Sequence, residues 1–424
     1  MARFKLKGLR WWIIGLLMLG SMVNYLTRST LAVAAPTLLK DLHVTEQQYS
    51  WILNSFQATI MLQPFCGYVM DVIGLKLAFA IFATGWSLVC LAHGLAHNWQ
   101  TLAGLRGLLG LAEGSANPAG MKATAEWFPA KERGIAGGLF NIGASAGSML
   151  APPLVGFAIY YYNWQTAFVV TGGLGLVWVI LWLCFYDAPG KHAWLSPGER
   201  HHIAAGQEQH LQGDGQRPSI LKLLKQRNFW GIAVPRFLAD PTWSTLTFWL
   251  PLYLSKVRHF NLKEIALTAW LPFLAADLGC LFGGVVAAFM QSRGVGLINS
   301  RRWAFTVGAS LMTGIAFVGL VQSPYAAVAL LCLGGFAHQT LSVTVITMSS
   351  DLFKRSEVAT VAGLAGTCGN AGVFVFNALI GGLVLTIGYT PFVIGLAMLD
   401  LLGTLVLWTL VRERKFDSAT TNKL

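Results

Sequence analysis

The sequence predicts an all-α polytopic membrane protein, with twelve transmembrane helices in two pseudo-symmetric six-helix bundles. Of 424 residues, 55% are hydrophobic and only 11% are charged, whereas soluble globular chains carry about a quarter charged residues. Apolar stretches of spanning length recur at 11–35, 47–71, 77–97, 100–124, 134–160, 165–187, 229–256, 264–290, 302–322, 324–350, 357–385 and 388–412. The lysines and arginines between them fall almost wholly on one side of the resulting topology.

Taken in order, the first span begins after Arg3, Lys5, Lys7 and Arg10 and carries Arg28 in its interior. The segment from Gly67 to Lys76 joins the second and third. The fourth holds Arg106, Glu113 and Lys122, and Lys131 and Arg133 divide it from the fifth. In the fifth, Gly137, Gly138, Gly143 and Gly147 stand at small-xxx-small spacing, which permits close helix contact. Pro235 and Pro241 in the seventh predict a kink or break that frees backbone groups. Asp277 lies in the eighth span, His338 in the tenth and Asp400 in the twelfth.

With the N-terminus in the cytoplasm, twenty-two lysines and arginines lie inside and four outside, namely Lys40, Lys256, Arg258 and Lys263. That asymmetry places both termini in the cytoplasm. It also accounts for the net charge of +12 without a nucleic-acid partner. A bacterial inner membrane is the simplest location. A cleaved signal peptide is the rival reading of residues 1–35, because Ala32-Val33-Ala34 is a small-residue cleavage pattern. Arg28 would interrupt such a segment, and the remaining helix count would be odd. All six cysteines lie within spans, where they behave as small apolar residues, and indicate neither a disulfide framework nor a metal site.

Residues 188–227 are the one long polar stretch. They divide the chain into an N-terminal bundle, 1–187, a cytoplasmic loop, 188–227, and a C-terminal bundle, 228–424. A shift of 225 positions superimposes Gly110 on Gly335, Ala112 on Ala337, Phe128 on Phe353, Glu132 on Glu357, Gly138 on Gly363 and Gly147 on Gly372. Repeated halves are the usual construction of a transporter that rocks two bundles about a midplane site. The same shift sets Glu113 opposite His338.

Seven residues separate Arg106 from Glu113, so in a helix they share a face, about 10 Å apart along the axis. Charges inside a membrane are costly and usually mark an ion or substrate pathway, although structural pairing of these two is the bland alternative. A carboxylate ligand calls for a fixed, forked cation and neutral hydrogen-bonding groups around it. Arg28 fits the first requirement, with Tyr25 almost one turn before it on roughly the same face. Asn141, Gln339 and Asn370 could bind hydroxyls or simply bond between helices. Arg236 and Asp240, four apart, can pair along one face, as a structural ion pair or a second coupling site with Asp277. His338, the one histidine well inside a predicted span, is either a titrating group or a packing residue.

Two motifs carry a family resemblance. Gly67-Tyr68-Val69-Met70-Asp71-Val72-Ile73-Gly74-Leu75-Lys76 resembles the signature loop of the major facilitator superfamily, in a form lacking the basic residue usual after the aspartate. More specific are Arg106-Gly107-Leu108-Leu109-Gly110-Leu111-Ala112-Glu113, Glu126-Trp127-Phe128-Pro129, Phe140-Asn141-Ile142-Gly143, Pro235-Arg236-Phe237-Leu238-Ala239, Ala276-Asp277-Leu278-Gly279 and Gly334-Gly335-Phe336-Ala337-His338-Gln339. Over nearly the whole chain these resemble the anion:cation symporter family, and within it the bacterial hexuronate transporters.

The resemblance implies the major facilitator fold and import of glucuronate and galacturonate, driven by protons, by a chain that works as a monomer and needs no cofactor beyond the proton gradient. By position, Arg28 matches the family's substrate-side arginine of span 1, Arg106 its span 4 arginine, also a candidate for substrate binding, and Glu113 its protonatable glutamate. Asp240, Asp277 and His338 are further candidates for proton coupling, and Asp71, Gly74 and Lys76 for gating. One departure is Thr27, where several sugar-acid members carry an acidic residue. A related sugar acid such as galactonate, or an aldarate, is the alternative substrate. An enzyme is disfavoured by the lack of a catalytic dyad or zinc-spaced histidines, a drug antiporter by three buried arginines, and ATP-driven transport by the lack of a phosphate-binding loop.

Overall fold

A computed structural model of the chain describes residues 5, 7–129, 132–205, 220–353 and 355–412, without the side chains of Asp71, Arg133, Ser350, Arg355, Ser356, Val358 and Ala359. Among the described residues twelve helical spans cross the molecule, and eight of the helices are long and apolar enough to cross a membrane. Span 1 is Leu9–Asp41, span 3 Leu75–His93, span 5 Arg133–Tyr161 and span 6 Trp164–Phe185. Span 10 is Pro324–Leu352, span 11 Arg355–Ile387 and span 12 Thr390–Leu410.

The remaining five are interrupted. Span 2 is Glu46–Ile60 followed by Gln63–Ile73, and its break precedes Pro64, whose ring disfavours a helical residue before it. Span 4 is Trp99–Glu113 and Ala116–Trp127, broken at Gly114 and Ser115 directly after the buried glutamate. Span 7 comprises Arg227–Ser244, a π-helical turn at Thr245–Trp249, and Leu250–Arg258. Pro241 and Pro251 flank that turn, and each lacks the amide that would continue the α ladder. Span 8 pauses between Leu262–Thr268 and Leu271–Ser292, at Pro272, and span 9 passes from Leu297–Met312 into a 3-10 segment, Thr313–Gly319. The kink predicted for span 7 is thus present, but the breaks in spans 2, 4 and 8 and the tightened end of span 9 are not visible as gaps in hydropathy. The polar stretch after span 6 contains the helix Pro197–Ala205 and a short helix Ile220–Leu224.

The two sets of six helices pack by one rule. Span 1 lies on 5 and 6, 2 on 4, and 3 on 4 and 6; correspondingly 7 lies on 11 and 12, 8 on 10, and 9 on 10 and 12. The sets meet through span 2 against 11, span 5 against 8, and span 1 against 7, again a symmetric arrangement. Two of the glycine coincidences mark equivalent contacts. Gly110 lies against the Phe56 carbonyl between spans 4 and 2, as Gly335 does against that of Pro272 between 10 and 8. Gly147 lies against the Met22 carbonyl between spans 5 and 1, as Gly372 does against that of Phe237 between 11 and 7. At these four positions backbones touch, and any side chain would occupy the neighbour's carbonyl. Of the span 5 stripe, Gly143 and Gly147 make such contacts whereas Gly137 and Gly138 face open space.

The helix Pro197–Ala205 is latched to the start of span 1. The Glu199 carboxylate accepts from the backbone amides of Leu9 and Arg10 at 3.1 and 3.2 Å, and from the Arg10 guanidinium at 2.9 Å. Arg10 also bonds Glu132, to which His202 bonds at 2.9 Å. Partial burial opposes it, yet the bonds from His202 and Arg10 hold the Glu132 carboxyl below its ordinary range. The latch is therefore charged at neutral pH, and its contribution fades as pH falls through that lowered range.

Gly147→Leu should destabilise the purified protein by about 1–3 kcal/mol, the usual cost of overpacking, whereas Gly137→Leu should leave its thermal midpoint unchanged. Equal effects would show that the spacing alone, not the contact, matters.

Candidate substrate and proton site

The N-terminal helices bring Arg28, Glu113, Thr27 and Tyr25 together. Glu113 ends the first half of span 4, and its side chain has no exposed surface. One carboxylate oxygen accepts from the Thr27 hydroxyl at 2.8 Å and the other from Arg28 Nε at 3.0 Å. Arg28 keeps its remaining fork toward the interior: Nη2 donates to Asn24 Oδ1 at 3.3 Å, and the guanidinium stacks 4.4 Å from the Tyr25 ring and 5.3 Å from that of Phe56. With 14% of its side chain accessible, Arg28 is the member of the pair that reaches open space.

Arg106 is placed behind this pair. It is 1% exposed and donates through Nη2 to the Arg28 carbonyl at 2.9 Å, with Phe56 also against its guanidinium at 5.5 Å. Glu113 therefore forms its ion pair with Arg28 on span 1, and not with the arginine on its own helix. The shared face of Arg106 and Glu113 aims both at span 1 but not at each other. Arg106 buttresses the backbone at Arg28, and its Nε and Nη1 have no hydrogen-bond partner among the described residues.

The C-terminal helices hold a different set. His338, the counterpart of Glu113, is 2% exposed and stacks on Trp243 with centroids 6.0 Å apart. Aligning Met22 with Phe237 through their glycines sets Trp243 opposite Arg28, so an aromatic contact stands where the first half has an ion pair. Arg236 pairs with Asp240 at 3.0 Å, against Gly366 and Gly369 of span 11. Asp400 faces inward, 0% exposed, with neither carboxylate oxygen bonded among the described residues.

Residues from both sets meet in the middle and toward the end of the molecule remote from the termini. Ser145 donates to Asp277 at 2.5 Å, and Gln57 to the Asn370 side chain at 2.5 Å. Beyond them Tyr49 donates to the Phe248 carbonyl in the π turn at 2.8 Å, Ser50 lies against Gly381, and Lys256 pairs with Glu46. A void of only about 10 Å³ remains between spans 1, 5, 7 and 8 there, no more than one water could fill. That end is sealed.

Of the other expected residues, Asn141 is exposed and Gln339 half-buried. Gly74 turns the chain between spans 2 and 3 with φ of 88°. Lys76 pairs with Asp187 at the end of span 6 at 3.0 Å. The Asp71 side chain lies outside the described residues. Thr27, Ser145 and Gln57 are functional neighbours that sequence reading did not propose; a hydroxyl or amide within an apolar stretch was the available signal. His93, at the end of span 3, is fully buried against Phe168.

The family model for the Major Facilitator Superfamily matches residues 17–300. The chain belongs to that superfamily. It is 49% identical to the hexuronate transporter of Escherichia coli (strain K12), over 97% of this chain and 96% of the relative. It is 52% identical to the galacturonate transporter of Dickeya chrysanthemi, over 77% of this chain and 95% of that one. In solved structures the fold matches a bacterial homologue of the human lysosomal transporter Spinster, in an inward-facing, unoccupied conformation, with a TM-score of 0.74 at 15% identity and 95% and 96% coverage. The major facilitator chain is thus a multi-pass membrane transporter of this fold.

Removing two ties of the sealed end, by Tyr49→Phe with Lys256→Gln, should raise several-fold the rate at which a cysteine introduced at the buried Ser29 reacts with an impermeant maleimide added opposite the termini, in a background without the six native cysteines. An unchanged rate would place the seal elsewhere.

Proposed function

We propose that the protein imports hexuronates, glucuronate and galacturonate, by proton symport across the bacterial inner membrane with both termini in the cytoplasm. The observation that carries the chemistry is the Arg28–Glu113 pair: one forked cation, partly accessible, held by one buried carboxylate. The relatives named hexuronate and galacturonate transporters support the substrate class.

In this cycle a proton on Glu113 neutralises the carboxyl and releases the charge on Arg28. The guanidinium then takes the substrate carboxylate in a bidentate pair, which its planar fork suits. Tyr25 fixes the plane of the fork by stacking, and Asn370, Gln57 and Gln339 offer donors and acceptors for ring hydroxyls. Thr27 can donate to the ionised carboxylate of Glu113 or accept from its neutral form, so it holds the side chain in both states. With proton and substrate both bound, no bare charge remains in the site, and the two bundles, 1–187 and 228–424, can rock about it. Loss of the substrate to the cytoplasm restores the Arg28–Glu113 attraction, which expels the proton. In the proposed orientation the sealed end faces outward, which supports reading this arrangement as the cytoplasm-facing stage. The chain acts as a monomer, and the lipid bilayer is its only other required partner.

A related sugar acid is the second reading, supported by 26% identity over 407 residues to the D-galactonate transporter of Escherichia coli O6:H1. Competition decides between them: galacturonate should suppress uptake of radiolabelled glucuronate into proteoliposomes with an imposed pH gradient, and galactonate should do so only at much higher concentration. The reverse order would assign the site to aldonates.

Glu113→Gln should abolish uphill accumulation of glucuronate while counterflow exchange persists; full accumulation by this variant would remove the proton from Glu113. Arg28→Lys keeps the charge but loses the fork, and the half-saturation concentration for counterflow should rise about tenfold or more, one charge-assisted hydrogen bond being worth roughly 1.5–3 kcal/mol.

A further inference from the structure

A cavity of about 490 Å³ opens at the end of the molecule that carries the termini, away from the central site. Lys5, Lys191 and Arg200 are its cationic lining, with the His192 and His201 rings beside them, and among the described residues no aspartate or glutamate lines it. Three separate pieces of chain supply these groups, namely the segment before span 1, the turn after span 6, and the helix Pro197–Ala205. They are held in place by buried contacts. His192 bonds the Phe185 carbonyl through Nε2 at 3.1 Å and takes the Trp194 amide at Nδ1 at 3.2 Å, while Arg200 Nη2 donates to the His192 carbonyl at 3.3 Å. Leu195 and Ile203 anchor the two pieces at 2% and 3% exposure.

The acids nearby are engaged elsewhere. Glu199 serves Leu9 and Arg10, Glu132 serves Arg10 and His202, and Asp187 serves Lys76. Among the described residues Lys5, Lys191 and Arg200 form no ion pair. Basic residues on a cytoplasmic loop need no explanation by themselves, since topology demands them. Convergence of cations from three segments on one concavity, with Glu199, Glu132 and Asp187 among the described residues turned to other partners, is a different matter: like charges held together raise the local potential, and an anion relieves it.

We propose that this cavity binds a phosphate-bearing anion. Among the described residues the lining offers cationic donors but no carboxylate or amide side chain to receive sugar hydroxyls, so it suits an all-acceptor group and not a uronic acid. Trp11 and Trp12, at 37% and 69% exposure, directly follow Arg10, which bonds Glu199 of the lining helix, and exposed tryptophan rings at the end of a span settle at the lipid headgroups. A phospholipid headgroup and a soluble phosphoester share the required chemistry. Either occupant ties the central loop to the N-terminal segment at the base of span 1, the helix that carries Arg28.

The test uses the full chain in nanodiscs. With phosphatidylglycerol in phosphatidylcholine discs, native mass spectrometry should find a retained phosphatidylglycerol, and Lys191→Gln with Arg200→Gln should weaken its retention about thirtyfold, from about 1 kcal/mol per basic residue. Lys222→Gln with Lys225→Gln, equal in charge and outside the cavity, should leave it intact. Glycerol phosphate titrated onto phosphatidylcholine-only discs tests the soluble source, and saturable binding lost in the same double variant would assign the cavity to that source. Should that pair fail to fold, Lys5→Gln on the exposed segment carries the same comparison with about a fivefold effect. The proposal is overturned if neither probe separates the cavity variant from the wild type, or if the control pair loses as much.

Discussion

A carboxylate with no exposed surface, surrounded by helices embedded in lipid, can persist only beside a cation, and the N-terminal bundle is organised around meeting that condition for Glu113. An unpaired buried charge costs far more than the few kcal/mol by which folded proteins are stable. The pairing cation comes from another helix, so spans 1 and 4 must be in register to within a hydrogen bond. Arg106 supplies that register by gripping the Arg28 carbonyl, and Gly143 and Gly147 allow span 5 to press span 1 from the other side. Packing and chemistry are therefore one requirement: a side chain at Gly147 would displace the same turn of span 1 that carries Tyr25.

The two halves use the same scaffold for different purposes. Equivalent helix pairs, touching at equivalent glycines, present an ion pair in one half and a histidine stacked on tryptophan in the other. In the proposed cycle the symmetric scaffold serves rocking of two bundles about a shared axis, and the asymmetric chemistry would confine charge movement to the half that holds Arg28 and Glu113. In the second half Asp240 pairs with Arg236, Asp277 accepts a hydrogen bond from Ser145 across the seam, and Asp400 is buried with neither oxygen bonded among the described residues. Asp277 is positioned to report the closure of spans 5 and 8, because its hydroxyl partner lies on the opposite bundle.

Much of this was legible in the sequence. Spans, their number and the pseudo-repeat follow from hydropathy and from glycines at fixed offset, since lipid admits few alternatives to a helix that satisfies its own backbone. The breaks in spans 2, 4 and 8 were not legible, because a prolyl or glycyl interruption shorter than a turn leaves the apolar average unchanged. At the site, Arg28, Tyr25 and Glu113 stood out as polar residues in apolar surroundings. Their pairing did not. Spacing along span 4 relates Arg106 to Glu113, but which arginine reaches the carboxylate depends on how span 1 lies across span 4, and no single-helix periodicity encodes that crossing. Asp400, an acid in the twelfth span with no role assigned from sequence, is fully buried, and that burial depends on the same kind of tertiary fact.

Thr27 bears on how the proposed cycle is driven. An acid at that position would place two carboxylates beside one guanidinium, and binding a substrate carboxylate would then favour uptake of two protons. Threonine removes one of those sites and replaces it with a neutral group that bonds Glu113 at 2.8 Å. A monoanionic sugar entering with a single proton moves no net charge, so the membrane potential, worth about 2.3 kcal/mol per charge per 100 mV, contributes nothing and the pH gradient alone supplies the work. A second proton would add that electrical term, and it would have to reside on a carboxyl of the other bundle. The constellation around Arg28 as built favours the electroneutral limit, because every charge within hydrogen-bond reach of the guanidinium is accounted for by Glu113 alone.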